Sequence, residues 1–196
     1  MSVVLVDAGG TNIGSVRYAL QRLGTDAALT ADGATIRAAD KVILPGVGAA
    51  GPGMARLHEL GLVELLRSLQ QPVLGVCLGM QLLCTHSEEG DTACLGVIPA
   101  CVHRFAETPG FRVPHMGWNQ LQSTQTHPLL AGMAEDDQAY FVHSYAVPVG
   151  DFTLASTDHA GEFSAIVVRR NFHGMQFHPE RSAAVGARFL RNFLSL

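Results

Sequence analysis

Short apolar segments and helix-like hydrophobic patterns alternate along the first half of this chain. Uninterrupted apolar runs predict strands, and apolar residues spaced by three and four positions predict amphipathic helices. The predicted strands cover residues 3–6, 26–29, 41–44 and 71–76, and the predicted helices cover residues 13–23, 52–69 and 78–85. Gly24 ends the first helix, and Gly61 interrupts the second. This βαβ order predicts an α/β fold with a mostly parallel sheet, helices on both faces and active groups at the carboxyl ends of the strands.

The second half of the chain follows a different pattern. Short strands separated by proline, glycine and aspartate turns are predicted over residues 101–105, 139–142, 152–156 and 165–168, and we expect them to add antiparallel strands to the main sheet. Residues 182–196 predict an amphipathic helix with Ser182 as its N-cap. No linker or repeat divides the sequence, so we predict one domain over residues 1–196.

Composition and charge narrow the class of protein. Hydrophobic residues make up 47% of the chain and charged residues 15%, and 13 basic residues against 17 acidic ones give a net charge of -4. This mildly acidic chain lacks the basic surface that a nucleic-acid partner requires. The apolar run at residues 3–6 is too short for a signal sequence, and no run reaches the length of a membrane span. We therefore predict a cytoplasmic protein with neither a nucleic acid nor a membrane as its partner.

The cysteines and histidines predict neither a metal site nor a cofactor. The four cysteines form no C-x-x-C pair, and the nine histidines form no H-x-x-x-H arrangement with an acidic companion. We interpret Cys84, Cys94 and Cys101 as plain thiols. We therefore expect the protein to work without a metal or a cofactor.

Cys77 is a candidate nucleophile because of the residues around it in the sequence. It lies between Gly75 and Gly79, where an apolar strand is predicted to turn into a helix. A nucleophile on such a turn has a strained backbone, and flanking glycines let neighbouring strands and a substrate approach closely. The alternative interpretation is a buried cysteine that only fills space.

The segment His178-Pro179-Glu180 contains a candidate base for Cys77. If an extended strand continues through Pro179, the His178 and Glu180 side chains project to the same side, and the carboxylate can orient the imidazole. A cysteine, a histidine and a carboxylate form the triad of an activated nucleophile, even when they lie far apart in sequence. The alternatives are a structural histidine at a strand end and a solvated glutamate.

Several segments resemble a known enzyme family. Residues 75–81 (GVCLGMQ) and 176–180 (QFHPE) are similar to the class I glutamine amidotransferases. Residues 45–48, 114–119 and 141–145 resemble, more narrowly, the glutaminase subunits of imidazole glycerol phosphate synthase, an enzyme of histidine biosynthesis. The resemblance extends from residue 3 to residue 182. It implies a flavodoxin-like sheet and a Cys-His-Glu triad that hydrolyses glutamine to glutamate and ammonia through a glutamyl thioester.

The tetrahedral oxyanion of such a reaction needs backbone N–H donors. The candidates are Leu78, directly after the nucleophile, and the turn formed by Gly46, Val47 and Gly48. Because glycines allow a peptide plane to point either way, we hypothesise that the oxyanion hole forms only in an activated state. A simple Pro-Gly turn after a strand is the alternative.

The glutamine substrate needs a polar pocket beside the nucleophile. Gln81 lies one helical turn after Cys77 and is a candidate for binding the polar end of the substrate. The resemblance implies that His143, Ser144 and Tyr145 also line the glutamine pocket. Without the resemblance, these three residues would be interpreted as a polar cluster on an edge strand.

The ammonia product needs an acceptor. No second domain is predicted here, so we expect a separate synthase subunit. The resemblance implies that this partner is a (β/α)8-barrel cyclase, which forms a heterodimer with the glutaminase and makes imidazole glycerol phosphate and AICAR. Trp118 and Met116, together with Asn12 in the loop at residues 7–12, are the candidate docking residues.

Two positions depart from the family pattern, and three alternative functions remain. Thr11 and Ala100 stand where the family usually has glycine, which affects one loop and one turn but not the triad. The first alternative is a glutaminase subunit of a different synthase or a free-standing glutamyl hydrolase. The second is a non-catalytic regulatory domain on the same scaffold. The third is a nucleotide-binding protein, suggested by the glycine-rich residues 7–14, although this loop lacks the G-x-G-x-x-G spacing.

Overall fold

The structure is a computed structural model that describes residues 1–8, 13–46 and 48–196. Its helices within these ranges are α1 (Ile13–Arg22), α2 (Gly33–Ala38), α3 (Ala50–Glu59), α4 (Val63–Ser68), α5 (Leu78–Leu82) and α6 (Ala183–Ser195). Its strands are β1 (Val3–Val6), β2 (Ala27–Thr30), β3 (Lys41–Gly46), β4 (Val73–Cys77), β5 (Cys84–Ser87), β6 (Thr92–Ala93), β7 (Ile98–Arg104), β8 (His115–Gln120), β9 (Gln122–Ser123), β10 (Gln138–His143), β11 (Tyr145–Ala146), β12 (Thr153–Asp158), β13 (Glu162–Arg169) and β14 (Phe172–Met175). Short 3₁₀ helices cover Pro128–Leu130 and Pro179–Arg181. None of the described helices is long and apolar enough to cross a bilayer.

An eight-stranded sheet organises the fold, with the strand order β2-β1-β3-β4-β14-β13-β12-β9. Neighbouring strands from β2 to β14 are parallel. The strands from β14 to β9 pair antiparallel. This arrangement confirms the predicted α/β fold, in which a mostly parallel sheet gains antiparallel strands at one side.

Apolar side chains alternate between the two faces of the sheet. Along β1, Val3 and Leu5 belong to one buried cluster, which includes residues of α1 and α6. Val4 and Val6 belong to a second cluster, which includes residues of α2, α3 and α4. Because side chains in a strand alternate with a period of two, these clusters lie on opposite faces, and helices cover both.

The break predicted at Gly61 is confirmed, because the helical region over residues 52–69 is divided into α3 and α4, and Gly61 between them adopts a φ of 65°. Other predicted elements differ from the observed ones. The helix expected over residues 78–85 ends at Leu82, because Cys84 already begins β5. The short helix α2 is missing from the prediction, since its six residues bury only Ile36.

The expectation that all later strands join the main sheet is wrong for β7 and β10. Strand β10 pairs with β8 in a separate two-stranded sheet, and β7 lies in a four-stranded sheet of order β11-β7-β5-β6. A hydrophobic pattern specifies that a segment is a strand but does not specify its partner. Pairing is decided by which apolar faces pack together in the folded chain.

Candidate active site

Cys77 is the last residue of β4, and the chain turns there directly into α5. Its φ of 52° and ψ of -112° are unusual for a residue with a side chain, and such strain costs about 1–3 kcal/mol. Close packing holds the turn: a Cβ on Gly79 would lie 1.9 Å from the Leu44 carbonyl oxygen, and one on Gly75 would lie 2.6 Å from the Gly79 backbone. The predicted strained turn, and its dependence on flanking glycines, are confirmed.

His178 and Glu180 lie together at the end of the sheet. His178 Nδ1 is 2.9 Å from Glu180 Oε1, and only 9% and 1% of the two side chains are exposed. The expectation that a strand continues through this segment is wrong, because β14 ends at Met175 and Pro179–Arg181 form a 3₁₀ helix. Proline favours the first position of a helix, since its φ is already helical there. The tight turn, rather than strand alternation, aligns the two side chains.

Ser182 fixes the backbone of His178. The Ser182 hydroxyl donates to the His178 carbonyl oxygen at 2.7 Å and accepts the Tyr140 N–H at 2.9 Å. The His178 N–H donates in turn to the Tyr140 carbonyl oxygen at 2.9 Å. Ser182 occupies the N-cap position of α6, as predicted, but its side chain makes no capping hydrogen bond to that helix and ties the 3₁₀ helix to β10 instead.

The parallel pair β4 and β14 brings Cys77 and His178 together. Met175 lies opposite Val76 in the register of these strands, so both strands end at the same edge of the sheet. Burial alone would lower the pKa of His178, but hydrogen bonds to Cys77 and Glu180, together with the negative charges of both partners, raise the pKa from 6.5 to about 10. The site therefore favours a protonated, positively charged imidazole at His178.

A cavity of about 440 Å³ opens beside Cys77, which is a size typical of small-molecule sites. Its wall contains Cys77, His178 and the predicted residues Gly48, Leu78, Gln81, His143, Ser144 and Tyr145. Gly46 lies instead on a smaller pocket behind His178 and Glu180. Val47 falls outside the described residues. Among the residues that the structure describes, no group of His, Cys, Asp and Glu side chains is arranged to hold a metal ion.

Hydrogen bonds inside the protein restrict what Gln81 and His143 can offer a ligand. His143 Nδ1 and Gln81 Nε2 both donate to the Tyr145 carbonyl oxygen, at 2.7 Å and 2.8 Å. His143 Nε2 lies 3.1 Å from His115 Nδ1. Burial lowers the pKa of His143 to about 3, so the ring is neutral and its N–H is already used. His143 therefore shapes the wall of the pocket, while Gln81 keeps its Oε1 as an acceptor.

Comparison with known proteins decides the family. The family model described as glutamine amidotransferase class-I matches residues 4–196. The chain belongs to the class I glutamine amidotransferase family. It is 58% identical over 194 residues to a protein of Xanthomonas axonopodis pv. citri (strain 306) and 57% identical over 194 residues to one of Xylella fastidiosa (strain Temecula1). Both relatives are named imidazole glycerol phosphate synthase subunit HisH, and each alignment covers 99% of this chain and 97% of the relative.

Solved structures share the fold at lower identity. A crystal structure titled glutamine amidotransferase matches with a TM-score of 0.77 and 22% identity, covering 100% of this chain and 98% of the other. The structure of PurLQS from Thermotoga maritima matches with a TM-score of 0.73 and 15% identity, covering 99% of this chain and 97% of the other. These likenesses support the fold of the amidotransferase family.

Two charged residues on the cavity wall, Glu89 and Arg181, were missed by the sequence analysis. Glu89 Oε2 accepts the Ala50 N–H at 2.8 Å, which holds the carboxylate beside the start of α3. The Arg181 guanidinium lies 4.9 Å from the centre of the Tyr140 ring. Arg181 could have been suspected from its place next to Glu180. No sequence spacing indicates Glu89, because it reaches the cavity from the turn between β5 and β6.

The candidate docking residues Met116 and Trp118 project outward from β8, with 63% and 51% of their surfaces exposed. The Trp118 ring lies 6.0 Å from the Tyr140 ring, which is in turn covered by Arg181. We call Met116, Trp118 and Tyr140 the β8 face. Through Arg181 it adjoins the mouth of the cavity, whereas Asn12 and most of the loop at residues 7–12 lie outside the described residues.

Proposed function

We propose that this amidotransferase is the glutaminase subunit of an imidazole glycerol phosphate synthase and supplies ammonia from glutamine for histidine biosynthesis. The observation that carries the proposal is its full-length similarity to HisH subunits in two bacterial genera. That similarity favours this synthase over a different synthase or a free-standing hydrolase. The juxtaposition of Cys77, His178 and Glu180 supports catalysis over a regulatory role. The cytoplasmic location stays a prediction.

Cys77 is the nucleophile of the proposed reaction. Its sulfur attacks the carboxamide carbon of glutamine, which forms a C–S bond and a tetrahedral oxyanion. The C–N bond then breaks, His178 Nε2 gives its proton to the leaving nitrogen, and ammonia and a glutamyl thioester result. Neutral His178 next takes a proton from water, whose oxygen attacks the thioester carbon. The C–S bond then breaks, which releases glutamate and leaves the Cys77 thiolate beside the His178 imidazolium. Glu180 accepts the Nδ1 hydrogen of His178 and so keeps Nε2 directed at the reacting atoms.

Backbone and charged groups around the cavity position the substrate. The Leu78 N–H and the turn at residues 46–48 are the proposed oxyanion donors, and removing one such donor typically lowers the rate about 10²–10³-fold. Glu89 faces the substrate ammonium, Arg181 its carboxylate, and Gln81 Oε1 accepts from the carboxamide. The proposal that the 46–48 turn reverses on activation is tested by crystal structures with glutamine, with and without the partner. One unchanged backbone orientation would contradict it.

The partner in this proposal is the cyclase subunit of the synthase, which binds the β8 face and receives the ammonia. Aromatic side chains that are half exposed next to a polar rim are typical of protein interfaces. The adjoining cavity mouth supports this choice, because ammonia that escapes into neutral water is protonated and loses its nucleophilicity. Docking over the mouth shields the product on its way to the acceptor.

The decisive experiment measures glutamate release with and without the cyclase subunit and its nucleotide ligand. We expect the parent chain to be stimulated by the loaded cyclase and Cys77→Ala to be inactive in both conditions. Cys101→Ala serves as the matched control, because it removes a thiol outside the cavity. Retained turnover in Cys77→Ala would overturn the mechanism, and equal activity with and without the cyclase would overturn the choice of partner.

A further inference from the structure

Gln176 is a fully buried amide that contacts the sulfur of Cys77. The register of β14 against β4 places Met175 opposite Val76, so the next residues, Gln176 and Cys77, are also neighbours. Gln176 Nε2 lies 3.8 Å from Cys77 Sγ, which is a hydrogen-bond distance for sulfur. None of the side chain of Gln176 is exposed. A buried primary amide directed at a reactive sulfur requires an explanation beyond packing.

The hydrogen-bond network determines which end of the Gln176 amide faces the sulfur. A backbone carbonyl can only accept, so Gln81 must present its NH₂ group to the Tyr145 carbonyl oxygen. The second hydrogen on Gln81 Nε2 is donated to Gln176 Oε1 at 2.9 Å. With its oxygen engaged by Gln81, Gln176 is left with its own NH₂ group towards Cys77.

Buried histidines hold this network from the opposite side. His143 Nδ1 donates to the Tyr145 carbonyl oxygen, so its Nε2 accepts from His115 Nδ1. His115 Nε2 lies 3.3 Å from Asn119 Nδ2, which also donates to the Asp158 carbonyl oxygen at 2.8 Å. Burial keeps both imidazoles neutral by lowering the pKa of His115 to about 4 and that of His143 to about 3. Every bond in the series from Asn119 to the sulfur therefore has one donor and one acceptor.

Apart from His178, the surroundings of the sulfur include a backbone carbonyl that opposes a negative charge. The Val142 carbonyl oxygen lies 3.9 Å from Cys77 Sγ, where a thiol can donate to it but a thiolate is repelled. An N–H donor on the same sulfur offsets this repulsion. Gln176 is the side chain that is placed to provide it.

We propose that the side-chain amide of Gln176 donates a hydrogen bond to the Cys77 thiolate, stabilises it and keeps it aimed at the substrate. Gln81 and His143 are positioning residues that hold the amide in this orientation. The inference rests on the proposed glutaminase function for its role in turnover. Hydrogen bonds to charged groups are about twice as strong as neutral ones, so the effect on thiolate formation is measurable.

The test is the rate at which iodoacetamide alkylates Cys77 in the full chain, followed by peptide mass spectrometry as a function of pH. In Gln176→Met, which retains the volume but lacks the donor, we expect about a tenfold lower rate near neutral pH. The pH of half-maximal rate should rise by about one unit, with an unchanged plateau at high pH. Gln71→Met is the matched control, because the Gln71 amide donates to the Ile36 carbonyl oxygen at the far end of β4 and should leave the profile in place.

Two further variants keep the test decisive. If Gln176→Met does not fold, Gln176→Glu preserves the acceptor for Gln81 and should shift the profile in the same direction and further, because it places a carboxylate at the sulfur. His143→Phe should produce a smaller shift, of about threefold in rate, since it releases the network at one point. A merely structural role would lower the melting temperature without moving the profile.

Each result has a defined meaning. A shifted profile in the folded Gln176 variants, together with a reduced kcat and an unchanged KM for glutamine, supports the inference. Superimposed profiles for the parent and a folded Gln176 variant would overturn it, and an unchanged profile in His143→Phe would overturn the positioning role of that residue. If the parent with its cyclase hydrolyses no glutamine, the proposed function fails, while the alkylation profiles still decide whether Gln176 stabilises the thiolate.

Discussion

Buried histidines make the stability of this protein strongly dependent on pH. Burial lowers the pKa of His173 and His115 from 6.5 to about 4 and that of His143 to about 3. The unfolded chain therefore binds more protons than the folded one at acidic pH, so the stability contributed by these groups is present above pH 6.5 and is lost as the pH falls towards 4. At pH 5 each histidine lowers the free energy of unfolding by about 2 kcal/mol, and the three together by about 6 kcal/mol, against a typical total of about 5–15 kcal/mol.

His173 offers the cleanest test, because it lies near the end of β14 away from Cys77 and His178. Its Nδ1 is 3.3 Å from the Val73 carbonyl oxygen, and its ring packs against Phe193. We expect His173→Asn to be less stable at pH 7.5 because it loses this packing. Its further loss of stability between pH 7.5 and pH 5 should nevertheless be about 2 kcal/mol smaller than that of the parent, because the variant has one fewer buried group to protonate on unfolding.

The assay is urea unfolding at both pH values, followed by circular dichroism and extrapolated linearly to water. The pKa of His178 is raised, so its contribution to stability is present below pH 6.5 and is lost as the pH rises through about 10. This contribution is common to the parent and the variant and cancels from the difference. His58→Asn, at an exposed position on α3, should show the same pH dependence as the parent. If His173→Asn also loses as much stability as the parent between the two pH values, the linkage argument is wrong.

Three other perturbations test the turn at Cys77, the triad and the β8 face. Gly79→Ala should destabilise the fold by about 2–4 kcal/mol in urea unfolding, because its Cβ would meet the Leu44 backbone. The control Gly14→Ala should be neutral or stabilising, because its Cβ would have only a 3.8 Å contact. Equal effects of the two substitutions would contradict the packing argument. Glu180→Gln should lower kcat by about 10²-fold or more, since the imidazolium of His178 loses its carboxylate, and near-parental turnover would exclude this role. Trp118→Ala should weaken cyclase binding about tenfold or more in calorimetry, while its melting curve stays near that of the parent. Leu29→Ala, at another exposed position, is the control. A destabilised Trp118→Ala chain with unchanged affinity for the cyclase would count against docking.

Local sequence determined the secondary-structure elements and the chemical class of the candidate active site. Strand runs, helix periodicity and the glycines around Cys77 depend on interactions within a few residues, so β1, β3, β4 and the strained turn could be predicted without a structure. The motif around His178 likewise indicated a base with a carboxylate beside it. The resemblance of these segments to one family then predicted glutamine as the substrate, which neither the spacing nor the composition could indicate.

Tertiary structure alone decided how distant residues meet. The parallel register of β14 on β4 places Gln176 beside Cys77 across about a hundred residues of chain, and no local pattern carries that information. The separate sheet of β8 and β10 and the position of Glu89 at the cavity arise in the same way. Each depends on which apolar faces pack together and which buried polar atoms find partners, and these choices are made only when the whole chain is compact.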